Sequence, residues 1–228
     1  MSPDVVAGRE VSDVREWVRV GYRWRVIELI LASASPRRAS LLEQLGLSFQ
    51  IVKPKIDESA EEDESVKDYI NRMSGSKLKN VLDRPLVSPG SVVLCADTIV
   101  VLENEILGKP SCRDEGIDML QRLSDKSHIV MTDVSLGQKG GDSGGKTEST
   151  ETFRVETFVK FRKLNLDECK DYWKTDEPRD KAGGYGIQGR GAVFVESISG
   201  SYSNVVGLPL METAVALSVF GISVFSPG

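Results

Sequence analysis

Histidine is nearly missing from this chain of 228 residues: there is one, His128. A serine or cysteine hydrolase scheme that needs an imidazole base therefore has a single candidate, in the segment Lys126-Ser127-His128-Ile129-Val130, with no nucleophile motif beside it. His128 reads as a structural residue, and its isolation favours chemistry run by carboxylates and a metal ion. Cysteine is scarce as well. Cys95, Cys112 and Cys169 are odd in number and widely spaced, so they define neither a disulfide framework nor a zinc site, and Cys95 reads as a small core residue of an apolar strand. No apolar stretch is long enough to cross a bilayer, which predicts a soluble, cytoplasmic protein without a membrane partner. Basic residues are not in excess: 29 Lys and Arg stand against 34 Asp and Glu, a net charge of -5, which argues against a nucleic-acid partner. Asp4, Glu10, Asp13 and Glu16 argue against a transit peptide, and no internal repeat is visible.

Against these absences, one stretch stands out. The apolar run Leu29-Ile30-Leu31 leads into Ser33-Ala34-Ser35-Pro36-Arg37-Arg38, which reads as a buried strand entering a phosphate-catching turn. Ser35 suits a helix cap and Pro36 the first helical position, so free N–H groups face outward there. Arg37 and Arg38 add rigid multi-donor forks suited to phosphate oxygens; the plainer reading is a capped helix with two solvated arginines. In Ser91 to Val101 a near-continuous apolar strand is broken by Asp97 and Thr98. An unpartnered buried carboxylate is costly, so Asp97 is expected where the strand opens into a cleft, facing a metal ion or a cation; the plainer reading is a strand-end aspartate closing a turn. Lys109 follows in the turn Gly108-Lys109-Pro110. Lys77 continues the inner edge of the stripe Val66, Tyr69, Ile70 and Met73, where it either reaches solvent or points into a site. Gly183 to Gly191 reads as a flexible glycine-rich loop carrying one amide, Gln188, without the spacing of a P-loop.

The periodicities predict strands at 29–32, 49–53, 92–107 (a hairpin), 129–136, 153–161 and 193–198, and helices at 36–45, 65–82, 114–123, 166–173 and 210–220. Such mixing indicates α/β or α+β layering. The segment Trp17 to Val26 alternates apolar and arginine residues and is suited to an edge strand or a partner surface. The stretch Gly137 to Thr152 reads as a long, flexible glycine-bearing loop.

Taken together, these blocks resemble the Maf family of nucleoside triphosphate pyrophosphatases, from about Leu29 to Phe220, in the family's order. The carrying residues are Ser33, Arg37 and Arg38; Glu58 in Asp57-Glu58; Lys77; Asp97-Thr98; Lys109 in Gly-Lys-Pro; Gln188 in Tyr-Gly-Ile-Gln-Gly; and the closing Gly200 to Pro209. The resemblance implies an α/β fold related to the inosine triphosphate pyrophosphatases, an elongated mixed sheet flanked by helices with a nucleotide cleft between two lobes. It implies a domain over 28–228 preceded by an extension, 1–27, without a counterpart. Arg37, Thr98 and Gln188 match the branch acting on dTTP and UTP, and an amide can both donate to and accept from a uracil or thymine edge. On this resemblance the reaction is cleavage between the α- and β-phosphates. Mg²⁺ or Mn²⁺ is held by Asp97 and Glu58, and Asp97 serves as general base. Lys77, Lys109, Arg37 and Arg38 neutralise charge, Ser33 binds a phosphate oxygen, and Thr98 and Gln188 select the base. It also suggests a homodimer; an enzyme that prefers modified pyrimidine triphosphates, in a house-cleaning role, is a second reading that stays open. The alternative is a nucleotide-binding regulator of cell division that no longer turns over. Ser74-Gly75-Ser76, in the Lys77 helix, are poor helix formers where the family has better ones.

Overall fold

The computed structural model describes residues 27–141 and 147–225; the alternating segment Trp17 to Val26 lies outside them. A mixed sheet runs through the molecule in the order β2 (Gln50–Ile51), β1 (Leu29–Ala32), β3 (Val92–Leu102), β5 (Ser127–Lys139), β6 (Thr147–Phe161) and β7 (Val195–Ser199), with β4 (Glu105–Leu107) also on β3. β1 is parallel to β2 and β3, and the remaining pairs are antiparallel. The helices are α1 (Pro36–Gln44), α2 (Val66–Leu82), α3 (Arg113–Leu123), α4 (Leu166–Trp173), α5 (Tyr202–Val206) and α6 (Leu210–Val219). This is the α/β architecture expected of the sequence. Among the described residues no helix is long and apolar enough to cross a membrane.

β3 organises the core because its side chains alternate between two covered faces. Val93 and Cys95 meet Leu78, Val81 and Leu82 of α2, and Ile99 and Val101 meet Ile70 of the same helix. On the opposite face, Leu94 and Ala96 belong to a cluster built with α1 and α6, whereas Val100 and Leu102 belong to a second cluster built with α3 and α4. Thr98 falls between these two clusters. Each large apolar side chain buried here contributes about 1.5–3 kcal/mol.

A second feature of β3 opens a gap along its edge. On one edge, β1 pairs with Val92 to Cys95 and β4 pairs with Val100 to Leu102. The intervening residues, Ala96 to Ile99, are hydrogen-bonded only on the β5 side. The chain leaving β1 turns into α1 at this gap, which places a helix N-terminus beside the open edge, at the carboxyl end of a parallel strand.

Three expectations change. The stretch 137–152 is mostly not loop, because β5 extends to Lys139 and β6 begins at Thr147. The segment Thr147 to Thr152 extends that pairing, with Gln138 opposite Ser149 and Gly137 opposite Thr150. Gly137 eases the crossing of α2, since a Cβ there would press on the Leu82 and Leu78 side chains at 2.9 and 3.2 Å. Ser74 is not a weakness: fully buried, its hydroxyl donates to the Asn71 carbonyl at 3.1 Å and accepts from Ser135 at 3.1 Å, keying α2 to β5 where the two approach closely. The glycine-rich stretch 183–191 is not a flexible loop but a tight wrap of short 3-10 turns around Glu177. The Glu177 carboxylate accepts the amides of Arg190 at 2.8 Å and Gly191 at 3.1 Å, and a Cβ at Gly189 would collide with it at 2.3 Å.

Candidate active site

The gap in the β3 edge gathers side chains from five segments. At the end of β1, Ser33 is buried, and its hydroxyl accepts the Ser35 amide at 3.1 Å, leaving its own proton free. Ser35 caps α1 as its residue type predicts, accepting from the Arg38 amide, and Pro36 takes the first turn. Arg38 then crosses to β3. Its guanidinium donates to Thr98 Oγ1 at 2.8 Å and to the Gly207 carbonyl at 2.8 Å. Burial pulls its pKa below the ordinary arginine value, opposed by the charge of Asp97. Thr98 is in turn 2.9 Å from Thr132 on β5. Arg37 points elsewhere, meeting Asp180 at 3.2 Å on an exposed surface.

Asp97 and Thr98 are adjacent in sequence and therefore face opposite sides of the sheet. Asp97 faces α2, where Lys77 donates to its Oδ1. The same ammonium lies 2.8 Å from Glu58, which reaches in from the segment between β2 and α2. The Lys77 side chain is 9% exposed and that of Asp97 13%, whereas Glu58 is half in water at 55%. Burial alone would lower the Lys77 pKa, but the charge and hydrogen bond of Asp97 and those of Glu58 outweigh it and hold the lysine above its ordinary value. Burial would raise Glu58; Lys77 first, then Lys109 and Arg38, reverse this and hold it below the usual carboxylate range. Lys109 is exposed and has no ion-pair partner among the described residues, yet its charge is felt at Glu58. The segment bearing Glu58 is tied down by α2: Tyr69 donates to the Glu58 carbonyl at 3.0 Å, and Arg72 grips Glu64 through two bonds of 2.6 Å.

Of the residues singled out from sequence, Asp97, Lys77 and Glu58 are joined directly, Arg38 and Thr98 are joined to each other, and Lys109 and Ser33 flank them. Gln188 makes no hydrogen bond among the described residues and is exposed. Its neighbour Ile187 packs against both clusters on the Thr98 face of the sheet. His128 and Cys95 are structural. His128 is buried, with Nε2 2.8 Å from the Tyr185 hydroxyl, and burial lowers its pKa to about 4. Cys95 lies in the core, its thiol pushed up to about 12 by burial.

Sequence reasoning missed Tyr69, Arg72, Thr132 and the pair Asp133 and Arg154. Asp133 carried the same signal as Asp97, a carboxylate interrupting an apolar strand. It is 2% exposed and bound by Arg154 through Nε at 2.5 Å and Nη2 at 2.7 Å.

Among the described residues no three of His, Cys, Asp or Glu are grouped to hold a metal ion. The donor set is two carboxylates, Asp97 and Glu58, converging on Lys77. Such a pair suits a hard cation that keeps several waters and completes its shell with phosphate oxygens, as Mg²⁺ does, and not a closed tetrahedral site.

The family described as Maf-like protein matches residues 28–220. A dTTP/UTP pyrophosphatase of Symbiobacterium thermophilum is 45% identical over 201 residues, 88% of this chain and 98% of that protein. Another protein of that name, from Syntrophus aciditrophicus, is 43% identical over 199 residues, 87% of this chain and 93% of its own. A third, from Vibrio vulnificus, is 45% identical over 193 residues, 85% of this chain and 98% of its own. Among solved structures, the Staphylococcus aureus Ham1 protein superposes with a TM-score of 0.38 at 13% identity, over 59% of this chain and 71% of that one, a likeness too loose to carry an argument.

Proposed function

The chain belongs to the Maf-like family, and from that premise we propose that it is a nucleoside triphosphate pyrophosphatase that converts dTTP and UTP to the monophosphate and pyrophosphate. The observation that carries this reading is the linked group Asp97, Lys77 and Glu58 in the gap of the β3 edge, with the α1 N-terminus alongside. Asp97 Oδ2 has no protein partner among the described residues, so it is the oxygen free to meet a water. In the proposed reaction that water attacks the α-phosphorus, its proton passes to Asp97 Oδ2, and the bond from the α-phosphorus to the bridging oxygen breaks as pyrophosphate leaves. Lys77 keeps Oδ1 engaged, which holds the carboxylate in one rotamer and leaves Oδ2 to the water. Lys109 and the free N–H groups of α1 neutralise the triphosphate and the departing pyrophosphate, and Ser33 donates its hydroxyl proton to a phosphate oxygen. Asp97 and Glu58 would hold Mg²⁺ or Mn²⁺, which supplies Lewis-acid polarisation of phosphate oxygens and a more acidic water.

The base is assigned to the Thr98 face, where Gln188 offers one donor and one acceptor to a pyrimidine edge. A site built to pair with such an edge leaves its polar groups unmatched against a purine, which costs affinity. The test is pyrophosphate release from dTTP, UTP, their base-modified forms, ATP and GTP, by the wild type and by Gln188→Ala. The reading expects pyrimidine preference in the wild type and a selective loss of kcat/KM for UTP and dTTP in the variant. Purine preference, or equal losses on all substrates, overturns the base assignment.

A further inference from the structure

Asp97 has a second carboxylate directly beside it. In the β3–β5 ladder Asp97 is paired with Asp133, and in the β5–β6 ladder Asp133 is paired with Arg154, so the three form one row across adjacent strands. Directly opposed residues of an antiparallel pair have Cα atoms about 5 Å apart and point to the same face. That face is the one under α2. Each carboxylate of the row has its own cation: Lys77 on Asp97, and the Arg154 fork on Asp133. The Arg154 Nη2 also donates to the Lys67 carbonyl in the first turn of α2, at 2.8 Å. The helix that carries Lys77 is thus fixed to one row of the sheet at two points.

Like charges directly opposed across two strands repel, and a buried carboxylate left without its cation draws in whichever cation is nearest. Directly opposite Asp133 in the ladder stands Asp97 with Lys77 on it, so the next cation along the row is Lys77. We infer that Arg154 is a positioning residue of the active site: by occupying both oxygens of Asp133, it leaves Lys77 to Asp97 and Glu58 alone. The inference rests on the proposed role of the Asp97 and Lys77 pair. A merely structural Arg154 would affect melting without changing the surroundings of the Lys77 ammonium in folded protein.

The test uses full-length protein with isotope-labelled lysine, the Lys77 Nζ resonance being assigned by its loss in Lys77→Met. Arg154→Leu should shift that resonance and lower kcat on dTTP by about tenfold. Asp133→Ala/Arg154→Leu, which removes the competing carboxylate together with its partner, should return the resonance to the wild-type position and kcat to within about threefold of it. Arg154→Gln loses the charge while keeping hydrogen-bonding groups, and gives the same reading if the leucine variant does not fold. An unmoved resonance in the single variant, or a double variant as impaired as the single one, overturns the inference. Failure of the wild type to release pyrophosphate would instead overturn the catalytic reading, and the resonance comparison would still decide the role of Arg154.

Discussion

Replacing Lys77 by Met removes the one cation that Asp97 and Glu58 share while keeping most of its apolar length. The cost follows from the exposure of the two carboxylates. Glu58 is 55% exposed, so its share is that of a surface pair, about 0–1 kcal/mol. Asp97 is 13% exposed and becomes an uncompensated, largely buried charge, at the low end of the range for breaking a buried pair, about 3 kcal/mol. In a chain of this size that corresponds to a fall in Tm of roughly 6 to 12 °C. Turnover should fall at least about a hundredfold, since the lysine that holds the proposed base in place is lost. Thermal melts of Lys77→Met, Asp97→Asn and the double variant decide the matter. Because Asp97→Asn removes the stranded charge, the double variant should melt above Lys77→Met. A Lys77→Met protein melting within about 2 °C of wild type, or a double variant no more stable than the single one, refutes the argument that the lysine compensates a buried aspartate.

Arg38 and Lys109 should behave differently from one another. Arg38→Ala loses its bonds to Thr98 and Gly207 and should cost about 1–3 kcal/mol in melting besides activity, whereas Lys109→Ala, with no ion-pair partner among the described residues, should leave Tm unchanged and raise KM. His128 predicts a pH dependence whose sign is fixed. Its folded pKa of about 4 lies below the unfolded value near 6.5, so between these values the unfolded chain binds more protons. Its contribution is therefore complete above about pH 6.5, falls as pH drops toward 4, and amounts to about 3 kcal/mol at most; His128→Phe should flatten the stability slope in that window, as urea melts at stepped pH will show.

How much was legible in the sequence tracks how local the causes are. The cap at Ser35, the helix start at Pro36 and the stripe that carries Lys77 arise within one turn of chain, and sequence places them within a residue or two. Asp97 was legible because a lone carboxylate in an apolar strand needs a cation, and Lys77 meets that need. Asp133 gave the same signal but its cation lies on β6, and only the strand register brings Arg154 opposite it. The glycines from 183 to 191 read as freedom when taken alone. In the fold they are absences of Cβ that admit the Glu177 carboxylate and the Tyr172 hydroxyl, the latter 2.7 Å from a Cβ built at Gly191. The Gly207 carbonyl that receives Arg38 belongs to the backbone and has no signature in residue type.

The measurement that bears most directly on the proposed reaction is product identification from dTTP and UTP, with wild type and Asp97→Asn assayed side by side in Mg²⁺. Monophosphate and pyrophosphate from the wild type, with the rate reduced at least about a hundredfold in a folded Asp97→Asn protein, is the predicted result. Diphosphate and inorganic phosphate as products, or near-normal turnover by the folded variant, would contradict it.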